Sequence, residues 1–367
     1  DNLGRICRER FKMTEDRIRV LMIVPEPLVK GGIASVVNGY RGSSLEQKNE
    51  LIYIESYCNG SKWKKLGKAL KAYVEFQKAI RKKKPDVVHI HSSFGPSFYR
   101  KMPFILLSSS KGIPVINHIH GAEFDRFYEQ ASPRKQRLVR KIYNKCTRLI
   151  VLSEEWKEKM MQIVPEEKVV VVPNYSRIPR SICQEKRKPL QILFMGELGQ
   201  RKGCYDIPEI FQRISGHIED ARLIMAGDGE LDQVRRAFAD RNLQDKVDFP
   251  GWVRGEEKEK LLQESSVFLF PSYHEGMPMV VLEAMAYELG IVTTNVGGIP
   301  QLILNGQNGF CEKPGDTDSM SRDLMTLLTD EDLRKRFGYA ARALIDEKYG
   351  LESHLQKLQK IYREVCR

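Results

Sequence analysis

Residues 267–285 read VFLFPSYHEGMPMVVLEAM. The first four are apolar without polar alternation, the pattern of a strand buried on both faces and hence of a parallel sheet covered by helices. Pro271 to Gly276 breaks the run, and Pro278 suits an early helical position, so a helix opens there and carries Glu283 one to two turns inside it. Glu275 falls in the loop at that helix's N-terminus. Ligands of open parallel sheets bind beyond the carboxyl ends of strands, which makes this loop a place to expect a site. Its two carboxylates can accept from paired hydroxyls of a sugar or ribose, while the amides of Gly276 and Met277 are donors for phosphate or sugar oxygens. A capping carboxylate and an ordinary surface glutamate would leave the same two residues.

The strand, loop and helix pattern recurs along the whole chain. Runs at 19–25, 51–55, 86–91, 113–117, 149–152 and 169–172 form one set, and runs at 191–195, 222–226, 247–249, 267–270 and 291–294 a second, with helical segments between nearly all of them. Two doubly wound α/β domains in tandem follow. The join falls in Pro173 to Pro189, which is rich in proline and charge and has no periodicity. The division predicted is 1–178, 179–346 and a final helix in 347–367 that crosses back to the first domain.

Three further loops after strands are rich in glycine. PLVKGGI (27–33) places Gly31 and Gly32 before a helix, where an ordinary turn competes with a backbone approach to phosphate. GELGQRKG (196–203) puts Arg201 and Lys202 before a helix, where two cations and helix amides suit a diphosphate and a solvated basic turn is the bland alternative. AGDGE (226–230) fits either close approach by a ligand or a plain strand-to-helix turn. The spacing in the first loop is not that of a dinucleotide oxidoreductase.

The 367 residues are 41% hydrophobic and 29% charged, which excludes a disordered chain. There is no run of about 18 uncharged apolar residues, and Arg5, Arg8, Arg10, Lys12, Arg17 and Arg19 near the start flank no apolar signal core. Seven scattered cysteines without a C-x-x-C pair argue against a zinc knuckle or disulfide frame and fit a reducing cytoplasm, so the Asn-x-Ser matches at Asn59 and Asn174 carry no meaning. The net charge of +12 is uneven: residues 1–180 hold 35 Lys and Arg against 18 Asp and Glu, residues 181–367 hold 25 against 30. Within the basic half, 62–84 contains ten cations and one acid, Glu75. Trp63, Leu66, Leu70, Tyr73 and Val74 recur there with helical spacing. Either this stripe packs on a sheet while the lysines are solvated, or Lys62, Trp63, Lys64, Lys65 and Lys68 face an anionic membrane or an acceptor. Nucleic acid is a third partner for such a helix.

Glu275 and Glu283, framed by PSYHEGMP and VGGIP, form an E-x7-E pattern that closely resembles the GT-B glycosyltransferases of glycosyltransferase family 4. In the family's order stand GGI (31–33), DVVHIH (86–91), HG (120–121), VVPN (171–174), GELGQRKG, AGDGE, FPGW (249–252) and NGQNGF (305–310). The resemblance covers the chain from about residue 18 onward and is specific for fold and reaction class, barely for the sugar.

It implies two Rossmann-like domains facing a central cleft, with donor held mainly by the C-terminal domain and acceptor by the N-terminal one. It also implies a retaining, metal-independent, hexosyltransferase-type transfer from a nucleotide-diphosphate sugar, UDP- or GDP-linked, to a lipid-linked saccharide or growing polysaccharide. No cofactor or metal is expected, and DTD (316–318) and DED (330–332) read as helix caps. By resemblance, Lys202 and Arg201 bind the diphosphate with Gly31 and Gly32 nearby, and Glu283 binds the ribose. Glu275, Gly276 and Met277 hold the donor sugar, Trp252 and Arg254 border the base, and His120 stabilises the transition state. The leaving phosphate would take the acceptor's proton, and His89, His91 and His118 are read as structural. Glu197 departs from the family's usual arginine, with Arg201 placed to replace it, and Gln301 stands where glutamate is common. The expected location is cytoplasmic, peripheral on the inner face of the membrane. A catalytically silent scaffold that binds nucleotide sugars, motivated by Glu197, and a basic nucleic-acid-binding protein are the readings from other classes.

Overall fold

The computed structural model describes residues 17–366, so Arg5, Cys7, Arg8, Arg10 and Lys12 lie outside the described residues. The chain divides into two units, Asp1–Pro173 with Glu352–Arg367, and Asn174–Leu351. The first carries β1 (Arg19–Pro25), α1 (Gly32–Asn38), α2 (Ser44–Lys48), β2 (Glu50–Tyr57), α3 (Lys62–Lys83), β3 (Val87–Ser92), α4 (Pro96–Ser110), β4 (Val115–Ile119), α5 (Pro133–Tyr143), β5 (Arg148–Val151), α6 (Glu154–Met161) and β6 (Val169–Val171). The second carries β7 (Lys188–Met195), α7 (Ile207–Ser215), β8 (Arg222–Ala226), α8 (Leu231–Ala239), β9 (Val247–Asp248), α9 (Gly255–Glu264), β10 (Ser265–Phe270), α10 (Met279–Ala286), β11 (Gly290–Thr294), β12 (Phe310–Glu312), α11 (Thr317–Thr329) and α12 (Glu331–Leu344). The last helix, α13 (Leu351–Val365), supplies the residues that return to the first unit.

Each unit holds one six-stranded parallel sheet, ordered β2-β1-β3-β4-β5-β6 and β12-β11-β10-β7-β8-β9. The strands are short apolar runs because both faces are covered: Leu21, Ile23, Val88 and Ile90 are fully buried in the first core, as are Ile192, Leu193, Phe268 and Phe270 in the second sheet. Strand order reverses between β1 and β3 and again between β7 and β10. In open sheets the carboxyl ends of two such neighbours are where ligands bind.

Several boundaries differ from the sequence reading. The chain joins the second unit at Asn174 rather than 179, because the Asn174 amide donates to Met277 O at 2.7 Å and Ser176 N–H to Tyr349 O at 2.9 Å. That unit also keeps the chain to Leu351 rather than 346, with Tyr349 donating to Gln301 O at 3.4 Å. β4 starts at Val115 rather than Ile113 and runs past Asn117 through His118 and Ile119, which pair with His91 and Ser92 of β3. β12 has no counterpart among the predicted strands, its three residues being too short for a pattern. In α3 four of the five residues of the apolar stripe do not pack on the core. Ala72 and Phe76 are the buried residues, Tyr73, Ala79 and Ile80 pack partly against the core, and Trp63, Leu66, Leu70 and Val74 face solvent.

Candidate functional site

Paired residues of β7 and β10 are 75 or more positions apart in sequence yet adjacent in the sheet, with Val267 opposite Ile192 and Phe268 opposite Leu193. Their outgoing loops therefore share one end of the sheet. The β7 loop makes a single 3₁₀ turn, Gln200–Lys202, and reverses at Gly203 with φ 68°. The β10 loop, Pro271–Pro278, leads into α10. Tyr273 N–H donates to Arg201 O at 2.9 Å, which fastens the two loops together.

The Lys202 ammonium donates to Glu275 Oε1, and its Nζ stands 4.9 Å from the centre of the Phe270 ring. Both side chains are largely buried, at 13% and 7% exposure. Ser272 Oγ lies 2.6 Å from the same Glu275 oxygen and 3.1 Å from Arg201 O, so its hydroxyl hydrogen serves one of them at a time. Thr294 Oγ1 donates to Ser272 O at 2.5 Å, and Tyr273 OH donates to Asp206 Oδ2 at 2.9 Å. A buried charge pair is useful when further hydrogen bonds hold it in place, and Ser272 supplies one to Glu275.

α10 starts at Met279 with no side-chain cap, Pro278 occupying the N-cap position instead of the first helical position. An uncapped helix start offers N–H groups to an anion or a sugar oxygen. Gly276 and Met277 lie just before it. Gly276 O accepts from Gly298 N–H at 2.6 Å, and Met277 O accepts from the buried Asn174. Gly297 closes this loop from the far side: it has φ 56°, and a Cβ there would meet Glu275 O at 2.0 Å. Gly297→Ala is expected to lose about 1–3 kcal/mol from backbone strain alone and to push the Glu275 backbone aside. Urea unfolding together with turnover would read both effects, and an unchanged midpoint would refute the close approach.

Glu283 projects from α10 and accepts from Lys258 of α9 at 2.6 Å. The turn that carries half-buried Trp252 and exposed Arg254 leads into α9, with Arg254 at its N-cap position. Arg201 is held by Glu197 at 3.3 Å and by His274 O at 3.4 Å. Glu197 therefore does more than vacate the usual arginine position, because it also holds the arginine that would replace it. The AGDGE turn serves its neighbour loop: Leu198 N–H donates to Asp228 O at 2.6 Å, and Glu230 N–H to Leu198 O at 2.8 Å. Asp316 and Asp330, from the two D-x-D matches, accept from Ser319 N–H at 3.0 Å and Leu333 N–H at 2.8 Å as helix N-caps.

In the first unit, Gly31 takes φ 130° at the N-cap of α1, and Gly32 begins the helix with open space around it. His120 follows β4, and its Nε2 lies 3.0 Å from His91 Nδ1. This pair belongs to a larger group. The rings of His89, His91, His118, His120 and His354 contact one another, with ring centres 4.2 Å apart for His118 and His120. Tyr362 pairs with His89 at 2.6 Å and Tyr40 with His354 at 2.8 Å, while both nitrogens of His118 lack a partner. Burial pushes His89 and His120 down to about 3 and His354 to about 4. His91 and His118 lie well below the ordinary histidine value for the same reason. One nitrogen each of His89, His91 and His118 falls within 4.8 Å of the others. Their planes are 5° to 34° apart.

The structure thus brings Lys202, Arg201, Glu275, Gly276 and Met277 to one sheet end and places Glu283 on the helix that starts there. Gly31, Gly32, His120 and the α3 residues belong to the first unit. Ser272, Lys258, Thr294 and Asn174 are the partners that sequence reasoning passed over. VVPN was a signal for Asn174, and nothing local marks the others.

Two family models match the chain, one described as Glycosyltransferase Family 4 over residues 28–175 and one as Glycosyl transferases group 1 over 179–344. An Escherichia coli UDP-Gal:alpha-D-GlcNAc-diphosphoundecaprenol alpha-1,3-galactosyltransferase is 27% identical, the match covering 87% of this chain and 84% of that one. The Erwinia amylovora amylovoran biosynthesis glycosyltransferase AmsK is 26% identical over 77% and 72%. Among solved structures, sucrose-phosphate synthase from Thermosynechococcus elongatus superposes with TM-score 0.81 at 15% identity, covering 95% and 99%. Anabaena Alr3699/HepE, solved in complex with UDP-glucose, gives 0.75 at 16% identity, covering 95% and 100%.

Proposed function

The chain belongs to the GT-B glycosyltransferases, pairing a Glycosyltransferase Family 4 domain with a group 1 domain, and we propose that it moves a hexose, with retention, from a nucleotide-diphosphate sugar to a lipid-linked saccharide or polysaccharide. The observation that carries this reading is the meeting of Lys202 and Glu275 at the carboxyl ends of β7 and β10, beside the uncapped start of α10.

In the proposed step the bond between the sugar's anomeric carbon and the diphosphate breaks, and a bond to the acceptor oxygen forms on the same face. The acceptor's proton passes to the departing phosphate oxygen. Negative charge grows on the diphosphate, and Lys202 is placed to stabilise it; charge-assisted hydrogen bonds contribute roughly 1.5–3 kcal/mol each. Arg201 adds a second cation once it leaves Glu197. Glu275, freed from Lys202, accepts from sugar hydroxyls, and Glu283 accepts from the ribose. Trp252 and Arg254 border the base. Gly31, Gly32 and His120 are the first unit's candidates for substrate contact, His120 acting as a neutral ring or through its backbone. With two cations and helix amides at the diphosphate, no divalent metal is needed in this scheme.

A UDP donor is favoured by the names of two similar proteins, the Escherichia coli galactosyltransferase and the Anabaena protein bound to UDP-glucose. The former's diphosphoundecaprenol substrate and the latter's fold support a lipid-linked acceptor and a donor domain of this kind. No helix among the described residues is long and apolar enough to cross a membrane.

The test is a thermal-shift panel of UDP, GDP, ADP and CMP sugars on the parent, Lys202→Ala and Glu283→Ala. A donor at 100 times its Kd adds about 2.7 kcal/mol, a shift of roughly 5–11 °C for a unit this size. One nucleotide class should stabilise the parent and neither variant. No shift with any donor would overturn the proposal. Activity in excess EDTA and NMR of the product anomer would test metal independence and retention.

A further inference from the structure

α3 is a 22-residue helix flanked by Ser61, whose hydroxyl accepts from Lys64 N–H, and by Lys84 in the left-handed conformation. Its inward face is small: Ala72 and Phe76 are buried, and the Phe76 ring meets Phe104 edge-on at 5.0 Å. On the outer side stand Trp63 at 81% exposure, Leu70 at 61%, Leu66 at 50% and Val74 at 48%. At 3.6 residues per turn these four fall within about 80° of one another. They form one continuous apolar strip along three turns, and Lys64, Lys71 and Lys78 follow along one flank.

Such a strip is costly to leave in water, and contiguous exposed apolar surface marks a docking site. The charges identify the partner. Residues 62–84 hold ten cations against Glu75, so two copies of this face would repel. Nucleic acid would set phosphates against Trp63, Leu66, Leu70 and Val74 with no gain from burying them. An anionic bilayer suits both features, because apolar side chains enter the boundary between headgroups and acyl chains while lysines stay with the phosphates.

We infer that α3 lies flat on an anionic membrane surface, with Trp63, Leu66, Leu70 and Val74 in the interface and Lys64, Lys71 and Lys78 on the headgroups. This deepens the lipid-linked acceptor reading above and rests on it for its purpose, not for its geometry. The structure also removes two lysines from the set that sequence alone suggests. Lys68 is turned inward to Glu26 at 2.7 Å and Glu55 at 3.1 Å, and Lys65 stands 5.5 Å from the Tyr57 ring centre.

The experiment is cosedimentation of the full chain with phosphatidylcholine vesicles, with and without one-third phosphatidylglycerol, free of any acceptor or donor. A cation near an anionic surface is worth roughly fivefold in partitioning. Lys64→Glu/Lys71→Glu/Lys78→Glu is therefore expected to bind at least 100-fold more weakly, and Trp63→Ser/Leu70→Ser at least tenfold more weakly. Lys82→Glu/Lys83→Glu, at the helix end beyond the strip, should lose less. All these side chains are exposed, so each variant should retain the parent's melting temperature and its thermal shift with donor. Equal binding by parent and variants overturns the inference, as does equal binding to neutral vesicles. DNA displacing the vesicles would move the surface to nucleic acid, and a dimer that dissociates in Trp63→Ser/Leu70→Ser would move it to a second copy. Vesicle binding without a donor shift would fail only the activity reading, and the reverse result only this one.

Discussion

Lys202→Ala is expected to lower kcat/KM by about 10²–10³-fold, the usual loss when one preorganised donor to developing charge is removed, and to destabilise the second unit as well. The stability loss comes from the partner left behind. Glu275 is 7% exposed, and removing one member of a buried pair typically costs about 3–5 kcal/mol, because the other charge stays buried and uncompensated. The two losses separate in Lys202→Met/Glu275→Gln. A neutral pair of similar size should recover most of the melting temperature, because Ser272 still hydrogen-bonds position 275, while turnover stays low. A double variant that regained activity with its stability would show that Lys202 acts only as a structural partner of Glu275. Chemical denaturation and steady-state kinetics on the same three proteins decide the matter.

Acidification is expected to unfold the first unit between about pH 6 and 4 through its histidine group. Burial comes first among the causes and lowers His89 and His120 to about 3 and, against a hydrogen bond to Pro173 O that raises it, His354 to about 4; for His89, His91, His118 and His120 neighbouring imidazoles follow burial, and His91 and His118 are depressed as well. Above the unfolded value, near 6.5, folded and unfolded chains are both neutral at these rings and stability does not depend on pH. Below it the unfolded chain binds protons that the folded unit refuses. Stability is therefore present above 6.5 and falls as pH drops toward the folded values, by up to about 1.4 kcal/mol per pH unit for each ring. Four or five rings give a limiting slope of roughly 5–7 kcal/mol per pH unit, against a total stability of about 5–15 kcal/mol. Ellipticity and the fluorescence of buried Trp156 from pH 7 to 5 would follow the loss above the range where carboxylates titrate. His118→Gln should flatten the slope. A urea midpoint that stays constant from pH 7 to 5 would show that these rings are protonated in the folded unit.

The alternation of apolar runs with helical stretches determined the architecture from sequence alone, because strands covered on both faces must be uniformly apolar whatever they pair with. Lys202, Glu275 and Glu283 were legible for a related reason: glycine, proline and charge concentrate in loops after buried strands, where a ligand can reach backbone amides. Partnership was not legible. Lys202 meets Glu275 because β7 pairs with β10, and strand order is a property of the sheet that no local window contains.

The same limit applies to Glu197 and to α3. Sequence showed Glu197 in an unusual place, but only the 3₁₀ turn brings Arg201 back onto it. In α3 the helical period was correct and the direction of its stripe was open, since a periodic pattern states which residues share a face and not which way the face points. Tertiary packing chose Ala72 and Phe76 for the inside, which left Trp63, Leu66, Leu70 and Val74 outside among the lysines. Similarly, His89 and His91 share a strand face by their spacing of two, but their stacking with His118 and His354 needed β4 and α13. Local chemistry and periodicity therefore set the elements and the candidate residues, while long-range pairing, bought with loop-closure entropy, decided which side chains meet.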